Sequence, residues 1–219
     1  MASSPPPTRV KICGLSSEAT LTAALEAGAD WIGLVHFPRS PRHVALAGAA
    51  ALSALARGRA ERVILLVDPD DALLAASVEA VDPDLVQLHG RESPERVAAI
   101  RARTGRPVMK ALGIATSADL AALPAYAAVA DRILLDAKAP PDAALPGGNG
   151  RRFDWEILRG AALPPGTMLS GGLDAGNVAD ALARTGIGAV DVSSGVETAP
   201  GVKDPAKIAA FVAAARGRR

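Results

Sequence analysis

Short runs of almost wholly apolar residues recur along the chain, with stretches of helical character between them. The runs lie at 9–15, 30–35, 62–68, 85–90, 107–113, 132–138, 168–173 and 189–195. Most stay apolar until a polar residue closes them, as strands buried on both faces of a parallel sheet do. Between them, 17–27, 45–57, 70–81, 94–104, 117–129, 154–159, 174–185 and 204–216 read as helices. Ser93 before Pro94, Thr116 before Ser117 and Asp204 before Pro205 are helix starts. Gly28, Gly58 and Gly105 follow helix ends, where a left-handed residue closes the last turn. The repetition predicts an α/β fold, a (β/α)8 TIM barrel in one domain over 9–219. Residues 1–8, with three consecutive prolines, read as an extended, disordered lead-in. An open doubly wound sheet would want a glycine-rich turn directly after strand one, and Cys13–Gly14–Leu15 is not that.

Composition narrows the picture. Hydrophobic residues make up 49% of the 219, enough for a large core. Alanine is plentiful and aromatics are only 3%, which suits closely packed helices. Net charge is +1 with no basic stripe, so nothing suggests nucleic acid. The lone Cys13 rules out an intrachain disulfide and fits a reducing compartment. The N-terminus lacks the apolar core of a secretory signal. No apolar run approaches the ~20 residues a membrane helix needs, so a cytoplasmic protein with no membrane contact is expected.

In a barrel of this kind the chemistry sits where the strands end at their C-terminal side. Those ends offer Cys13, His36, Asp68, Gln87 and His89, Lys110, Asp136 with Lys138, Gly171–Gly172, and Asp191 with Ser193–Ser194. Cys13 lies in VKICGL (10–15), where alternation sends Val10 and Ile12 one way and Lys11 and Cys13 the other. Most cysteines are small buried hydrophobes, but a thiol, with a free pKa of ~8.5, can also act as a base or nucleophile. Asp136 closes the apolar run RILLD, where a carboxylate needs a purpose or a partner; an ion pair with Lys138 is the plain alternative. Two glycine-bearing loops, Ser170–Gly171–Gly172 and Ser193–Ser194–Gly195, follow strands seven and eight, the usual phosphate pocket of such barrels. PGGNG (146–150) follows no strand and opens no helix, and reads as a flexible lid. Arg42, taken alone, reads as one more solvent-facing loop arginine. The three histidines are too sparse for a metal site.

Together, KICGL (11–15), FPRSPRHV (37–44), VQLHG (86–90), LLDAK (134–138), PGGNGRRFDW (146–155), SGGL (170–173) and DVSSGVE (191–197) resemble the phosphoribosylanthranilate isomerases of tryptophan biosynthesis. The likeness runs from Lys11 to Asp204. It implies an Amadori rearrangement with Cys13 as general base and Asp136 as general acid. It implies that Arg42 meets the anthranilate carboxylate and that Asp191 lies at the substrate end of strand eight. Gly171, Gly172, Ser193, Ser194 and Gly195 are then the phosphate loops. No metal or organic cofactor is implied; the partner is a small phosphorylated substrate, and the chain is expected to be a monomer, with a homodimer as the alternative. The lid departs from the family, with Asn149, Gly150, Arg151 and Arg152 where threonine, glycine, lysine and threonine usually stand. Ser170 replaces a frequent alanine. Three rivals remain. An indole-glycerol-phosphate synthase, a lyase on the same fold, would want catalytic lysines and a glutamate inside the barrel. A two-substrate sugar isomerase would want aspartate in place of Cys13. A non-catalytic phosphate-binding barrel would give no reason for the thiol and the carboxylate.

Overall fold

Eight parallel strands close into a barrel in sequence order in the computed structural model, which describes residues 7–140, 147–148, 150 and 152–217. They are β1 (Arg9–Cys13), β2 (Trp31–Val35), β3 (Glu61–Leu66), β4 (Leu85–Leu88), β5 (Val108–Ile114), β6 (Arg132–Ala137), β7 (Met168–Leu169) and β8 (Ala189–Val192). Ile12 of β1 stands opposite Ile32 of β2 on one side and Val192 of β8 on the other, which closes the ring. Most of the expected lead-in, residues 1–6, lies outside the described residues.

Helices α1 (Glu18–Ala27), α2 (Leu46–Ala56), α3 (Asp71–Val81), α4 (Pro94–Thr104), α5 (Leu123–Ala127), α6 (Val178–Thr185) and α7 (Pro205–Ala215) accompany the strands. The start signals are used. Ser93 accepts from the Arg96 N–H, and Asp204 from those of Ala206 and Lys207. Two expected helices are different. The fifth opens as a 3-10 helix, Ser117–Ala122, and has only five α-helical residues. Pro124, just inside α5, lacks the N–H that would tie the two pieces into one ladder. The sixth is a single 3-10 turn, Trp155–Leu158, followed closely by Gly160 with a positive φ. Strand seven is also shorter than expected, because Gly171 (φ +88°) and Gly172 (φ +61°) leave extended conformation. After β8 the chain makes a hairpin that the apolar pattern does not announce, β9 (Glu197–Ala199) against β10 (Val202–Lys203).

Alternation along the strands sorts the side chains. Val10, Ile12, Ile32, Leu34, Ile64 and Leu66 face the helices in the outer core. The barrel interior is filled by Trp31, Val63, Leu85, Met109, Ala111, Leu134, Met168 and Ala189. Nearer the C-terminal mouth, Cys13, Val35 and Leu65 form a smaller cluster. The register therefore decides which strand-end polar residues meet. Lys110, between inward-facing Met109 and Ala111, points outward and donates to Glu92 Oε2 and the Gly90 carbonyl, each at 2.8 Å. Both partners are almost fully buried, and Glu92 also accepts the Asp68 and Gly90 N–H groups. Lys110 is thus a structural cation, not a site residue. Glu92→Ala would strand that charge and should destabilise the fold by about 3–5 kcal/mol, readable as a lowered urea midpoint.

Candidate active site

A cavity opens at the C-terminal mouth of the barrel, with Cys13, Arg42, His89, Asp136, Gly172 and Ser193 in its wall. Gln87, Asp191 and Ser170 lie deeper in the same wall. Of the other strand-end candidates, His36 has its Nδ1 2.9 Å from the Val44 carbonyl oxygen, outside the cavity. Asp68 faces away too, with φ +45° and its Oδ1 accepting the Arg91 N–H. Lys138 reaches the rim but pairs with Asp119 at 2.6 Å, so it is not the partner of Asp136.

Cys13 is buried and shares the inner face of β1 with Lys11. Lys11 is completely buried and donates to Asp191 Oδ1 at 2.8 Å; Ser170 Oγ donates to Asp191 Oδ2 at 3.1 Å. Gly33 of β2 makes the room. A Cβ there would come within 2.9 Å of Cys13 Sγ and 3.0 Å of Lys11 Nζ. Burial pushes the thiol above its ordinary value, although Lys11 and the more distant Lys203 pull it down. For Lys11, burial works against the charge, but Asp191 and Cys13 outweigh it and hold the ammonium above its ordinary value.

Asp136 ends the inner face of β6. Its Oδ1 accepts the Ala137 N–H at 2.9 Å, and its Oδ2 lies 3.2 Å from His89 Nε2. His89 in turn meets Gln87 through Nδ1 at 3.1 Å, while Gln87 Oε1 is buried without a partner. His89 is therefore a hydrogen-bonded wall residue that braces the carboxylate.

Arg42 corrects its bland reading. It is buried, and its guanidinium forks onto Glu197, Nε to Oε1 at 2.7 Å and Nη2 to Oε2 at 2.9 Å. Glu197 also takes Lys203 Nζ at 2.6 Å, and Lys203 donates onward to the Ser193 carbonyl. Burial opposes the Glu197 charge, yet Arg42 and Lys203 prevail and hold the carboxyl below its usual range. The arginine stem lies across Gly14 (φ +79°), where a Cβ would strike its Cδ. The glycine after Cys13 is thus what brings Arg42 to the mouth.

The two glycine loops face the cavity through Gly171, Gly172, Ser193 and Ser194. A Cβ on Gly171 would meet the Ala137 nitrogen and lie 3.2 Å from Asp136 Oδ1. Gly195 stands apart; it packs against the Leu173 backbone and is not in the cavity wall. Of the expected lid, Pro146, Asn149 and Arg151 lie outside the described residues. Gly147 sits against His89 and Asp136, and the Gly148 carbonyl accepts from Arg42 Nη2 at 3.2 Å. Among the described residues no three His, Cys, Asp or Glu side chains converge as metal ligands.

Residues 10–214 match the family model of N-(5'-phosphoribosyl)anthranilate (PRA) isomerase. The chain belongs to this family. It is 68% identical to N-(5'-phosphoribosyl)anthranilate isomerase of Azorhizobium caulinodans over 209 residues, 94% of this chain and 91% of that one. The Rhodopseudomonas palustris (strain BisA53) enzyme of the same name is 64% identical over 210 residues, 96% of each chain. Among solved structures, phosphoribosyl anthranilate isomerase from Thermotoga maritima superposes with a TM-score of 0.86 at 36% identity, covering 96% of this chain and 99% of that one. A phosphoribosyl anthranilate isomerase complexed with reduced 1-(o-carboxyphenylamino)-1-deoxyribulose 5-phosphate gives 0.83 at 33% identity, with coverages of 96% and 99%. The chain is accordingly an isomerase of tryptophan biosynthesis.

Sequence reasoning missed Glu197 and Lys203. The DVSSGVE stretch (191–197) and the PGVKD stretch (200–204) contain them, but nothing local assigns them a role, which comes from the hairpin and the pairing of Glu197 with Arg42. Lys11 carried a signal. A lysine between Val10 and Ile12, in register with a strand-end cysteine of a barrel, has to lie inside.

Proposed function

We propose that Cys13 and Asp136 perform the proton transfers by which the chain converts N-(5-phosphoribosyl)anthranilate to 1-(2-carboxyphenylamino)-1-deoxyribulose 5-phosphate. The observation that carries this assignment is a thiol on β1 and a carboxylate on β6 facing one cavity across the barrel mouth. Asp136 gives a proton to the furanose ring oxygen, and the ring opens to a Schiff base. Cys13, as thiolate, takes the proton from C2 of the sugar. The resulting enolamine relaxes to the ketone. Each positioned acid or base is typically worth ~10²–10⁴ in rate. The edge of the Arg42 guanidinium turned away from Glu197, an edge that also reaches the Gly148 carbonyl, receives the anthranilate carboxylate, and Asp191 completes the substrate-facing wall. Gly171, Gly172, Ser193 and Ser194 receive the phosphate at the other end, with Gly195 shaping that loop through its packing on Leu173. Anchored at both ends, the sugar is held between acid and base.

One catalytic domain, 9–219, does this in the cytoplasm without a metal or organic cofactor. It works as a monomer, since Leu55 and Val202 are the only large hydrophobics strongly exposed among the described residues. The Thermotoga maritima relative is by contrast named as dimeric; gel filtration of this chain decides the point. Adding purified protein to phosphoribosylanthranilate should abolish the substrate's fluorescence, and persistence of that fluorescence would defeat the reading. Gly172→Asp should weaken binding of a phosphorylated product analogue at least tenfold, because a carboxylate would repel the phosphate and fill a backbone position with positive φ. Unchanged affinity, read by titration, would put the phosphate elsewhere.

A further inference from the structure

Lys11 is unusual among the polar groups of the mouth. It is one of the largest fully buried side chains in the protein, and the proton transfers proposed above do not use it. It stands opposite Asp191 in the register of β1 with β8. Its ammonium is tied to Asp191, and Asp191 is tied to Ser170. The Cβ position of Gly33 lies within about 3 Å of both Lys11 Nζ and Cys13 Sγ, so the two heteroatoms crowd one spot. Gly33 brings no side chain between them.

We propose that Lys11 is a positioning residue: anchored by Asp191, its ammonium supplies the counter-charge that lets Cys13 exist as a thiolate inside the barrel. This deepens the reading of Cys13 as base and rests on it. A buried thiolate without a cation beside it is strongly disfavoured, because burial penalises the charged form. The charged groups that face Cys13 are Lys11 on its own strand, Asp191 from β8 and Lys203 from β10. Lys203 is already committed to Glu197 at 2.6 Å, and Glu197 to Arg42. Lys11, whose Nζ crowds the same spot over Gly33 as the Cys13 sulfur and whose pull on the thiol exceeds that of Lys203, is the cation that answers the thiolate. Asp191 then has two opposed effects: it fixes the ammonium, and its own negative charge restrains the thiol from ionising. Removing either partner should move the thiol in opposite directions, whereas a merely structural pair would give no such antisymmetry.

The single cysteine makes this measurable without turnover. The rate of iodoacetamide alkylation of Cys13, followed against pH, reports its thiolate. In the wild type the titration midpoint should lie above that of a free thiol. Lys11→Met should raise it further by at least one pH unit, a tenfold or greater loss of alkylation rate at fixed pH. Asp191→Asn should lower it. The Lys11→Met variant should also lose kcat at neutral pH at least tenfold and regain part of it as pH rises. If Lys11→Met does not fold, the double variant Lys11→Met with Asp191→Leu removes both charges at once; its midpoint should still rise, since the lysine's pull exceeds the aspartate's push. A midpoint that is unchanged or lowered in the lysine variant, or in the double variant in its stead, overturns the proposal. Loss of the role of Cys13 as base would show differently, as full kcat in Cys13→Ala with the titrations intact.

Discussion

Cys13→Ala is expected to fold, to bind a product analogue almost as tightly as the wild type, and to lose about two to four orders of magnitude in kcat, the usual worth of a positioned base. The substitution removes one sulfur from a small cluster with Val35 and Leu65 and breaks no side-chain hydrogen bond that fixes the fold. The backbone carbonyl of Cys13, which accepts from Ser193 Oγ at 3.2 Å, is untouched. What disappears is the one β1 side chain that lines the cavity, and with it the proposed acceptor of the C2 proton. Cys13→Ser should be nearly as poor, because a hydroxyl is a far weaker base near neutrality and the Lys11 ammonium cannot make up the difference. Fluorescence turnover assays and analogue titration decide it. A Cys13→Ala variant with near-full kcat would remove the thiol from the mechanism. Burial pushes the thiol up, while Lys11 pulls it down.

The barrel was legible because buried parallel strands write themselves as apolar runs, and eight of them with intervening helices admit few other folds. The elements that were misjudged share a cause. Strand seven and the fifth and sixth helices lie where glycine or proline overrides the local pattern, as at Gly171, Pro124 and Gly160. The hairpin of β9 and β10 spans two and three residues, too short to show a period. At the site, motif and alternation pointed to Cys13, Asp136 and the glycine loops, which line one cavity except at Gly195. The sequence did not show which strand-end groups meet, since that depends on register. Met109 and Ala111 turn inward and so send Lys110 out, while Leu134 turns inward and brings Asp136 with it. Glu197 and Lys203 could not have been found this way. Glu197 reaches Arg42 from 155 residues away and Lys203 braces Glu197 from the same hairpin, and only the closed barrel brings β8 beside β1.

Asp136→Asn is expected to lower kcat by two or more orders of magnitude while changing the affinity for product analogue little, because the lost interaction belongs to the transition state. The amide keeps the shape of the carboxyl group. Its oxygen can still accept the Ala137 N–H, so the end of β6 and the close approach of Gly171 should survive. What it cannot do is deliver a proton to the ring oxygen. Without that proton the leaving oxygen departs as an alkoxide, and ring opening becomes the slow step. His89 offers the control. It touches Asp136 at 3.2 Å through Nε2 and braces it without replacing it. His89→Asn should therefore cost about tenfold, well short of the loss at Asp136. If the two variants lost rate equally, His89 and not Asp136 would be the donor, with Asp136 holding its ring. If Asp136→Asn kept its rate, the acid would have to be sought at Asp191. That carboxylate lines the same cavity but is already bound by Lys11 and Ser170, and freeing it to carry a proton would require the Lys11 pair to open. The comparison of the two variants at saturating substrate thus separates three assignments of one proton; of the two carboxylates, Asp136 is the one that no lysine or arginine among the described residues pairs with.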